Sequence, residues 1–342
     1  MWTILSSILA FGIAFGLSLW LARSCRSPRF LDHPNARSLH QRPIPRTGGL
    51  AVLGGLLTGG FLIGIGLPDV RANLAFLPLG LAPLALISFL DDRQGIAARW
   101  RLLVHLGAAG SLAAAGFFPG ALAWPGLLLT LPTGVAVGLA LLFVVWMINL
   151  YNFMDGMDGF AGGMAVIGFA ALAWLGRADA GFAAFCLTAA AASAGFLTCN
   201  FPPARIFLGD TGSTALGFLA AACGLWGSQA GLFPFWVALL VFSPFIVDAT
   251  VTLLRRLLAG ERVWEAHRSH YYQRLVLLGW GHRRTVLVEY ALMLVCAGSA
   301  ALAVRLPPAG QLGLAGGWIG VYGLLLVGVG RLERRRATVS AS

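Results

Sequence analysis

The chain has 342 residues, of which 58% are hydrophobic and 11% are charged. A soluble globular domain carries roughly 25% charged residues, so this composition argues against a soluble fold and equally against disordered, fibrous and disulfide-rich classes. All 24 basic residues are arginine and 13 residues are acidic, which gives a formal net charge of +11. We therefore expect an integral membrane protein.

The positive charge does not indicate a nucleic-acid partner. Its arginines lie in short stretches between apolar segments and not in one basic domain. The five cysteines are widely spaced, without the paired spacing of zinc or redox motifs, and we interpret them as small packing residues.

Eleven apolar segments are candidate membrane spans, because about 20 apolar residues cross the hydrocarbon core. In chain order they cover residues 1–22, 48–67, 74–90, 102–118, 126–148, 160–176, 180–199, 212–227, 231–254, 286–304 and 311–330. Arginines follow the first segment but do not precede it, which favours a retained anchor over a cleaved signal peptide.

The arginines and the carboxylates favour the same side of the membrane. If the connections alternate, 21 of the 24 arginines fall on one side, and only Arg71, Arg177 and Arg305 fall on the other. The positive-inside rule then places the N-terminus outside and the C-terminus in the cytoplasm. Apart from Asp69 and Asp179, almost every carboxylate is cytoplasmic. We predict an all-α, polytopic membrane protein with one domain over residues 1–342 and its chemistry at the cytoplasmic face.

Asp91 and Asp92 end the third predicted span in the motif FLDDR. Two adjacent carboxylates oppose the helix dipole, which favours cations at a C-terminus, and they repel each other. Stability alone would not select them. They are either a polar helix stop beside Arg93 or a carboxylate pair that acts as a general base or metal ligand.

Asn149, Asn152, Asp155 and Asp158 recur at every third position at the cytoplasmic end of the fifth predicted span. Residues at this spacing are neighbours on a helix, although the stripe drifts by about 60° per step. The glycine after each aspartate lets the backbone turn, so we expect the four side chains to converge on one pocket. Such hard oxygen ligands suit Mg²⁺. The alternative is an ordinary polar loop.

Asp210 lies in the motif FLGDTGS, directly before the eighth predicted span. It is a good helix N-cap, which is the structural interpretation. The same position exposes backbone amides and the positive end of the helix dipole to a phosphate. Asp210 would then lie beside the bound anion as a Mg²⁺ ligand.

The cytoplasmic loop over residues 255–285 carries the motif HRSH, which contains His267, Arg268 and His270. A guanidinium group suits bidentate phosphate contact, although several other arginines of this loop can be simple topology determinants. Asp248, in the ninth predicted span, is costly to bury. It either pairs with a neighbouring arginine or hydroxyl group or supports the site.

These motifs, in this order, resemble those of the polyprenyl-phosphate N-acetylaminosugar-1-phosphate transferases, or glycosyltransferase family 4. The segment LDHPNARSLHQRPIPRTGGLA is similar as well, particularly at His40, Pro45, Arg46, Gly48 and Gly49. The resemblance extends from about residue 30 to residue 275.

The resemblance implies an eleven-span enzyme of the bacterial inner membrane with a cytoplasmic active site. Such an enzyme transfers a sugar-1-phosphate from a UDP-N-acetylaminosugar to undecaprenyl phosphate in the lipid bilayer and releases UMP. It requires Mg²⁺, with Mn²⁺ as the alternative ion, and the family pattern allows a homodimer.

The resemblance also implies residue roles. Asp91 and Asp92 match the essential catalytic pair, and Asp91 is the base that acts on the lipid phosphate. The other matches are Asp155 and Asp158 as catalytic residues at the acidic positions on the nucleotide side, Asn152 and Asp210 as metal ligands, and Arg46, Asn149, Arg268 and His270 as substrate-binding residues.

The last loop departs from two patterns within the family. It continues as Tyr271, Tyr272 and Gln273 after His270, where N-acetylglucosamine-1-phosphate transferases usually show His-x-His-His. The triple-histidine run of the muramoyl-pentapeptide transferase is absent too. The loop is more similar to members that initiate O-antigen with UDP-N-acetylfucosamine, N-acetylquinovosamine or N-acetylglucosamine. We expect initiation of O-antigen or another cell-surface polysaccharide and not peptidoglycan synthesis.

Two other functional classes compete with this interpretation. A transporter of anionic metabolites would place polar groups near the bilayer midplane, often in repeated halves. The polar groups of this sequence instead cluster at one membrane face, and the sequence shows no internal repeat. A non-enzymatic scaffold leaves the aspartates without a role. Within the enzymatic interpretation, direct attack and a covalent phospho-enzyme both stay open.

Overall fold

The computed structural model describes residues 1–25, 30–34, 39–67, 70, 74–262 and 267–341, with side chains up to Arg336. The predictions for Asp69 and Arg71 fall outside these residues. The described chain is almost entirely helical.

The elements follow one another without long connections. In chain order they are α1 (Trp2–Ser24), β1 (Leu31–Asp32), β2 (Ile44–Pro45), α2 (Gly48–Gly66), α3 (Leu77–Gln94), α4 (Ala98–Ala114), β3 (Ala121–Trp124), β4 (Leu127–Thr130), α5 (Thr133–Phe153), α6 (Phe160–Leu175), α7 (Ala180–Asn200), α8 (Gly209–Gln229), α9 (Phe235–Val241), α10 (Ser243–Leu258), α11 (Tyr271–Leu275), a π-helical turn (Val276–Trp280), α12 (Gly281–Ala303) and α13 (Pro308–Ala341).

The helices occur at the positions of the predicted spans. Within the described residues, six helical segments are long and apolar enough to cross a membrane, namely α1, α2, α5, α7, α11 continued into α12, and α13. The bent pair α9 and α10 would make a seventh. The protein is therefore a polytopic membrane protein. Large apolar side chains cover its outer helices, such as Ile4 and Ile8 on α1 and Ile319 and Leu324 on α13, and lipid is the solvent that suits such a surface.

The prediction of an all-α fold is wrong at two short antiparallel strand pairs, β1 with β2 and β3 with β4. The second pair occupies the start of the fifth predicted span, so its helix begins only at Thr133. Trp124 pairs with Leu127 across a two-residue turn. That turn is Pro125 and Gly126, in which proline fixes its own φ and glycine takes a φ of +78°.

The ninth predicted span is also interrupted. Helices α9 and α10 meet at an angle of 81°. Pro244 is the second residue of α10, where it lacks the N–H needed to continue a preceding helix but fits the first turn of a new one. The sequence prediction of one straight segment over residues 231–254 is therefore corrected to two helices.

Helix α8 is the central element and packs against α3, α5, α2, α6 and α7. Every residue from Thr211 to Gly227 is buried. Small residues permit this packing: a Cβ atom on Gly217 would lie 2.4 Å from the carbonyl oxygen of Met147 on α5. Four of the cysteines, Cys186, Cys199, Cys223 and Cys296, are free and buried within the helices, as expected of packing residues.

The starts of α2 and α8 are locked together by backbone contacts. The amide groups of Gly48 and Gly49 donate hydrogen bonds to the carbonyl oxygens of Phe207 and Leu208 at 2.8 and 2.7 Å. A Cβ atom on Gly49 would lie 2.3 Å from the backbone nitrogen of Gly212. This approach brings the segment before α2 directly against the first turn of α8.

Candidate active site

A cleft of about 290 Å³ opens where α3, α5 and α8 meet the strand pair β1 and β2. Five carboxylates and one guanidinium group line it, with three imidazoles: Asp32, Asp92, Asp155, Asp158, Asp210, Arg46, His40, His267 and His282. We call this space the acidic cleft. Its carboxylates outnumber its permanent cations, so an anionic ligand needs added positive charge to enter it.

A second cavity of about 510 Å³ adjoins the acidic cleft. Its polar lining includes Arg99, Arg101, His105, Asn149, Asn152, Thr214 and His270. We call it the arginine cavity. Asp210 and His267 line both spaces, so the two cavities meet at these side chains.

Asp92 caps the helix that carries Asp210. Its carboxylate accepts hydrogen bonds from the backbone amides of Asp210 and Thr211 at 3.3 and 3.2 Å, and from the Thr211 hydroxyl at 3.2 Å. Asp210 itself lies in the first helical turn, with Leu208 at the cap position. The cap interpretation of Asp210 is therefore wrong, because Asp92 of α3 supplies the acceptor from outside the helix.

Arg46 reaches the acidic cleft from the segment before α2. Its guanidinium group donates to the backbone carbonyl of Asp92, and its Nε lies 3.9 Å from the Asp92 carboxylate. Gly209 permits this close approach, since its φ is +72° and a Cβ atom there would lie 2.5 Å from the Arg46 carbonyl oxygen. Asp92, Arg46 and the start of α8 are thus one interlocked unit.

Asp91 has a different environment from Asp92. Its Oδ2 accepts a hydrogen bond from Arg101 Nη1 at 2.6 Å, and the same nitrogen lies 3.7 Å from Oδ2 of Asp210. Arg101 therefore lies between two carboxylates at the border of the two cavities. The predicted carboxylate pair is divided: Asp92 holds the start of α8, and Asp91 pairs with Arg101 and accepts from the Ile96 amide.

The prediction that the four side chains at the end of α5 converge on one pocket is wrong. Asn149 and Asn152 line the arginine cavity, whereas Asp155 and Asp158 line the acidic cleft. The reason is that α5 ends at Phe153, so the two aspartates belong to the following turn. Asn152 donates to the Ser213 hydroxyl at 3.0 Å and also lies beside Asp210.

The two aspartates of this turn differ in their partners. Asp158 is buried, accepts a hydrogen bond from the Ala204 amide at 3.0 Å and lies 3.0 Å from Nδ1 of His282. The Asp155 carboxylate makes no hydrogen bond or ion pair with the described residues. Burial, followed by the nearby charges of Asp210 and Asp92, raises the pKa of Asp155 well above its usual range. Asp155 is therefore the uncompensated acid of the cleft.

Asp248 anchors the loop that contains the HRSH motif. Its buried carboxylate accepts hydrogen bonds from the Tyr271 and Tyr272 amides at 2.9 and 3.0 Å, and it lies 3.2 Å from Nδ1 of His270. The Thr252 hydroxyl donates to it as well, at 3.1 Å. Both interpretations of Asp248 thus hold, since it binds a neighbouring hydroxyl group and supports a candidate site residue.

The loop presents His267 to both cavities, whereas Arg268 is exposed and lines neither of them. Burial, and then the positive charges of His270 and Arg256, lower the pKa of His267 to about 4. Its Nδ1 lies 2.9 Å from the Ser269 hydroxyl and 3.4 Å from the Ser269 amide, which donates to it. A neutral His267 therefore accepts at Nδ1 and carries its hydrogen on Nε2.

Sequence reasoning missed several contributors to the site. Arg99 and Arg101 had been interpreted only as topology determinants, and Asp32 and His282 had not been singled out. A signal existed for Arg101, since it follows the DDR motif by one short loop. Asp32 and His282 reach the cleft through tertiary packing alone, and their sequence neighbours carry no pattern that would reveal it.

The site offers a divalent cation a small set of protein ligands. Among the described residues, no three His, Cys, Asp or Glu side chains lie close enough to hold a metal ion by themselves. Mg²⁺ does not require this, because it usually takes one or two protein carboxylates and fills its octahedron with water and phosphate oxygens. Asp210 with the adjacent Asn152 fits that pattern, and the excess of carboxylates in the acidic cleft favours a cation.

The chain is similar to known proteins. The family model described as glycosyl transferase family 4 matches residues 74–228. This segment includes Asp91, Asp92, Asn152, Asp155 and Asp210.

Several curated proteins are similar over most of the chain. A probable undecaprenyl-phosphate N-acetylglucosaminyl 1-phosphate transferase of Bacillus subtilis is 31% identical over 265 residues, covering 76% of this chain and 73% of that protein. A phospho-N-acetylmuramoyl-pentapeptide-transferase of Synechococcus elongatus is 32% identical over 326 residues, covering 85% and 86%. A decaprenyl-phosphate N-acetylglucosaminephosphotransferase of Mycobacterium tuberculosis is 29% identical over 322 residues, covering 81% and 76%. The chain therefore belongs to glycosyl transferase family 4.

Proposed function

We propose that this protein transfers an N-acetylaminosugar-1-phosphate from a UDP-sugar to undecaprenyl phosphate, with release of UMP. The product would initiate O-antigen or another cell-surface polysaccharide. The proposal includes a single domain of eleven spans in the bacterial inner membrane, with the N-terminus outside and the acidic cleft at the cytoplasmic face. The three relatives support the reaction class, since their names describe two polyprenyl-phosphate N-acetylglucosamine phosphotransferases and a phospho-N-acetylmuramoyl-pentapeptide-transferase.

The observation that carries the proposal is the meeting of two oppositely lined cavities at Asp210. The acidic cleft has the space and the cation-attracting charge for a metal-bound diphosphate. The arginine cavity offers Arg99 and Arg101 to a second phosphate. A transfer between two phosphorylated substrates needs such adjacent sites.

The outside of α4 supports assignment of the lipid acceptor to the arginine cavity. This helix exposes Trp100, Leu103 and Leu106 to the surroundings, while Arg101 and Leu102 line the cavity. A phosphate held by the arginines can thus keep its isoprenoid chain in lipid. The nucleotide sugar would occupy the acidic cleft beside Asp155 and Asp158.

Each side chain has a defined task in the proposed reaction. Arg99 and Arg101 hold the lipid phosphate, and Asp91, released from Arg101 by that phosphate, accepts its proton. An oxygen of the lipid phosphate forms a bond to the phosphorus that bears the sugar, and the bond from that phosphorus to UMP breaks. His267 donates from Nε2 to phosphate oxygens, and Asp92 keeps Asp210 in position.

Asp210 and Asn152 would hold Mg²⁺, with Mn²⁺ as the alternative ion. When bound, the ion supplies positive charge that offsets the negative charge of the donor diphosphate. The residues of the chain alone do not provide this, since Arg46 is engaged with Asp92. The Asp210→Asn variant should therefore lose Mg²⁺-dependent UMP release while it retains its thermal stability.

In the decisive experiment, purified full-length protein in nanodiscs is incubated with undecaprenyl phosphate, Mg²⁺ and each member of a panel of UDP-N-acetylaminosugars. UMP release and the mass of the lipid product are measured. A lipid diphosphate sugar identifies the donor, and a covalent phospho-enzyme would appear as an added mass on the protein. Uptake of the nucleotide sugar into liposomes without formation of UMP would contradict the proposal and favour a transporter.

A further inference from the structure

A third cavity, of about 730 Å³, lies at the end of α1 and is separate from the candidate active site. Three arginines and a set of apolar side chains line it: Arg23, Arg42, Arg205, Leu19, Ala22, Leu31, Pro43, Ile44, Pro45 and Ala204. We call it the arginine groove. None of these residues lines the acidic cleft or the arginine cavity.

The charge of the arginine groove is not neutralised by nearby acids. Within residues 20–50 the sequence contains one acidic residue, Asp32, and its side chain lines the acidic cleft instead. Arg23 and Arg42 are exposed and make no hydrogen bond or ion pair with the described residues. Arg205 is fixed by a hydrogen bond to the Thr198 carbonyl oxygen at 3.2 Å, but that bond leaves its charge uncompensated.

The position of the groove relates it to the membrane. Helix α1 is long and apolar enough to span a bilayer and ends at Ser24, so Arg23 in its last turn lies at the height of the lipid headgroups. Leu19 and Ala22 lie on the lipid side of that level. The groove therefore combines apolar surface with three guanidinium groups at the end of a candidate membrane span.

The strand pair β1 and β2 separates this groove from the acidic cleft. Leu31 pairs with Pro45, and both line the groove. Asp32, the next residue of β1, and Arg46, which directly follows β2, line the cleft. The strand pair and the residue after it therefore border both cavities.

We propose that the arginine groove binds the phosphate headgroup of an anionic membrane phospholipid. Guanidinium groups suit bidentate contact with phosphate, and each arginine near a membrane surface contributes about a fivefold preference for anionic lipid. The apolar side chains would contact the acyl chains. A phospholipid in this position also braces the wall that carries Asp32 and Arg46.

The binding experiment does not depend on the proposed transfer reaction. Full-length protein is released from nanodiscs that contain equal amounts of phosphatidylglycerol and phosphatidylcholine with matched acyl chains, and retained lipids are counted by native mass spectrometry. The wild type should retain phosphatidylglycerol in preference to phosphatidylcholine. The R23Q/R42Q/R205Q variant should lose this preference by on the order of 100-fold, as three fivefold contributions imply.

Two matched variants separate local binding from total charge. R283Q/R331Q/R335Q removes the same number of exposed arginines elsewhere on the chain and should keep the wild-type preference. R23K/R42K/R205K keeps the positive charge and should keep most of the preference for phosphatidylglycerol. If the triple glutamine variant fails to insert, R42Q alone provides the test, because Arg42 lies outside the helices. This single substitution should reduce the preference for phosphatidylglycerol about fivefold.

Several outcomes would overturn the inference. The glutamine variants could retain phosphatidylglycerol as well as the wild type, or inorganic phosphate at equal concentration could displace the lipid. Displacement of phosphatidylglycerol by undecaprenyl phosphate at equal concentration would assign the groove to the acceptor substrate. Slower hydrogen exchange over residues 39–46 in phosphatidylglycerol than in phosphatidylcholine would support the bracing of the wall.

Discussion

Asp248 and His270 form a buried pair in which the carboxylate Oδ1 lies 3.2 Å from the imidazole Nδ1. A carboxylate offers only acceptors, so Nδ1 of His270 carries a hydrogen toward Asp248. The same carboxylate fixes the first turn of α11 through two backbone amides. The orientation of a cavity-lining imidazole therefore depends on a residue from the bent ninth span.

The Asp248→Ala variant should lose both stability and activity. It leaves buried donors without an acceptor, which costs about 1–3 kcal/mol for each unsatisfied group, and it frees His270 to rotate. We expect a lower melting temperature and at least a tenfold lower kcat for UMP release. Thr252→Val, which removes only the 3.1 Å bond to Asp248, is the matched control. Wild-type kcat in Asp248→Ala would restrict Asp248 to a structural role.

Asp91→Asn should increase the Mg²⁺ concentration needed for half-maximal UMP release. Loss of the Asp91 charge frees Arg101, whose Nη1 already lies 3.7 Å from Asp210. The guanidinium group would then compete with the cation for Asp210. A Mg²⁺ titration of the variant measures this. The double variant Asp91→Asn with Arg101→Gln should restore the Mg²⁺ requirement, though not the rate, and an unchanged requirement in the single variant contradicts the competition.

Asp92→Ala should act mainly through stability. The substitution removes the cap of α8, and loss of an N-cap costs about 0.5–2 kcal/mol. Because Asp92 also contacts Arg46, we expect the cost to lie at the upper end of that range. Thermal unfolding in one detergent, with Asp91→Ala as the comparison, checks the prediction. A melting temperature of Asp92→Ala equal to that of the wild type would show that the cap contributes nothing.

Gly49→Ala should destabilise the protein far more than Gly12→Ala. A Cβ atom on Gly49 would lie 2.3 Å from a backbone nitrogen of Gly212, whereas Gly12 has nothing within 4 Å. Backbone must move in the first case, while in the second alanine improves helix propensity by up to about 1 kcal/mol. Melting temperatures of the two variants provide the measurement. A small effect at Gly49 would mean that α2 and α8 can separate without cost.

His267 should make stability decrease toward acidic pH. Its pKa is lowered to about 4 in the folded protein, against about 6.5 in an unfolded chain. Between these values the unfolded chain binds a proton that the folded protein does not. The contribution of His267 to the free energy of unfolding is therefore complete above pH 6.5 and declines as the pH falls toward 4. Melting temperatures of the wild type and His267→Gln at pH 5 and pH 7 test this. The variant should show the smaller difference.

The positions of the helices could be predicted from the sequence because burial in lipid requires long apolar segments. The Pro125-Gly126 turn and the bend before Pro244 could not be distinguished from apolar continuity, although each has a proline signal. Both lie in segments whose hydropathy favours a membrane span, and this apolar composition outweighed the proline signals in the prediction.

The candidate site was predicted in its residue types more than in their arrangement. The sequence indicated Asp91, Asp92 and Asp210, but adjacency could not show that Asp92 caps α8 while Asp91 pairs with Arg101. These roles depend on the packing of α3 against α8, which brings the end of α3 to the first turn of α8. Arg268 was chosen by charge, and the folded loop instead presents His267 to the cavities.

The junction at Asp210 and His267 has a consequence for inhibitor design. One molecule can pass this junction and place a nucleotide-like group on one side and a lipid-phosphate mimic on the other. Once the first group is seated, attachment of the second becomes intramolecular, and such linkage strengthens binding by roughly 10²- to 10⁴-fold over either half. Two-headed ligands joined by a short tether should therefore outcompete mixtures of their separate parts.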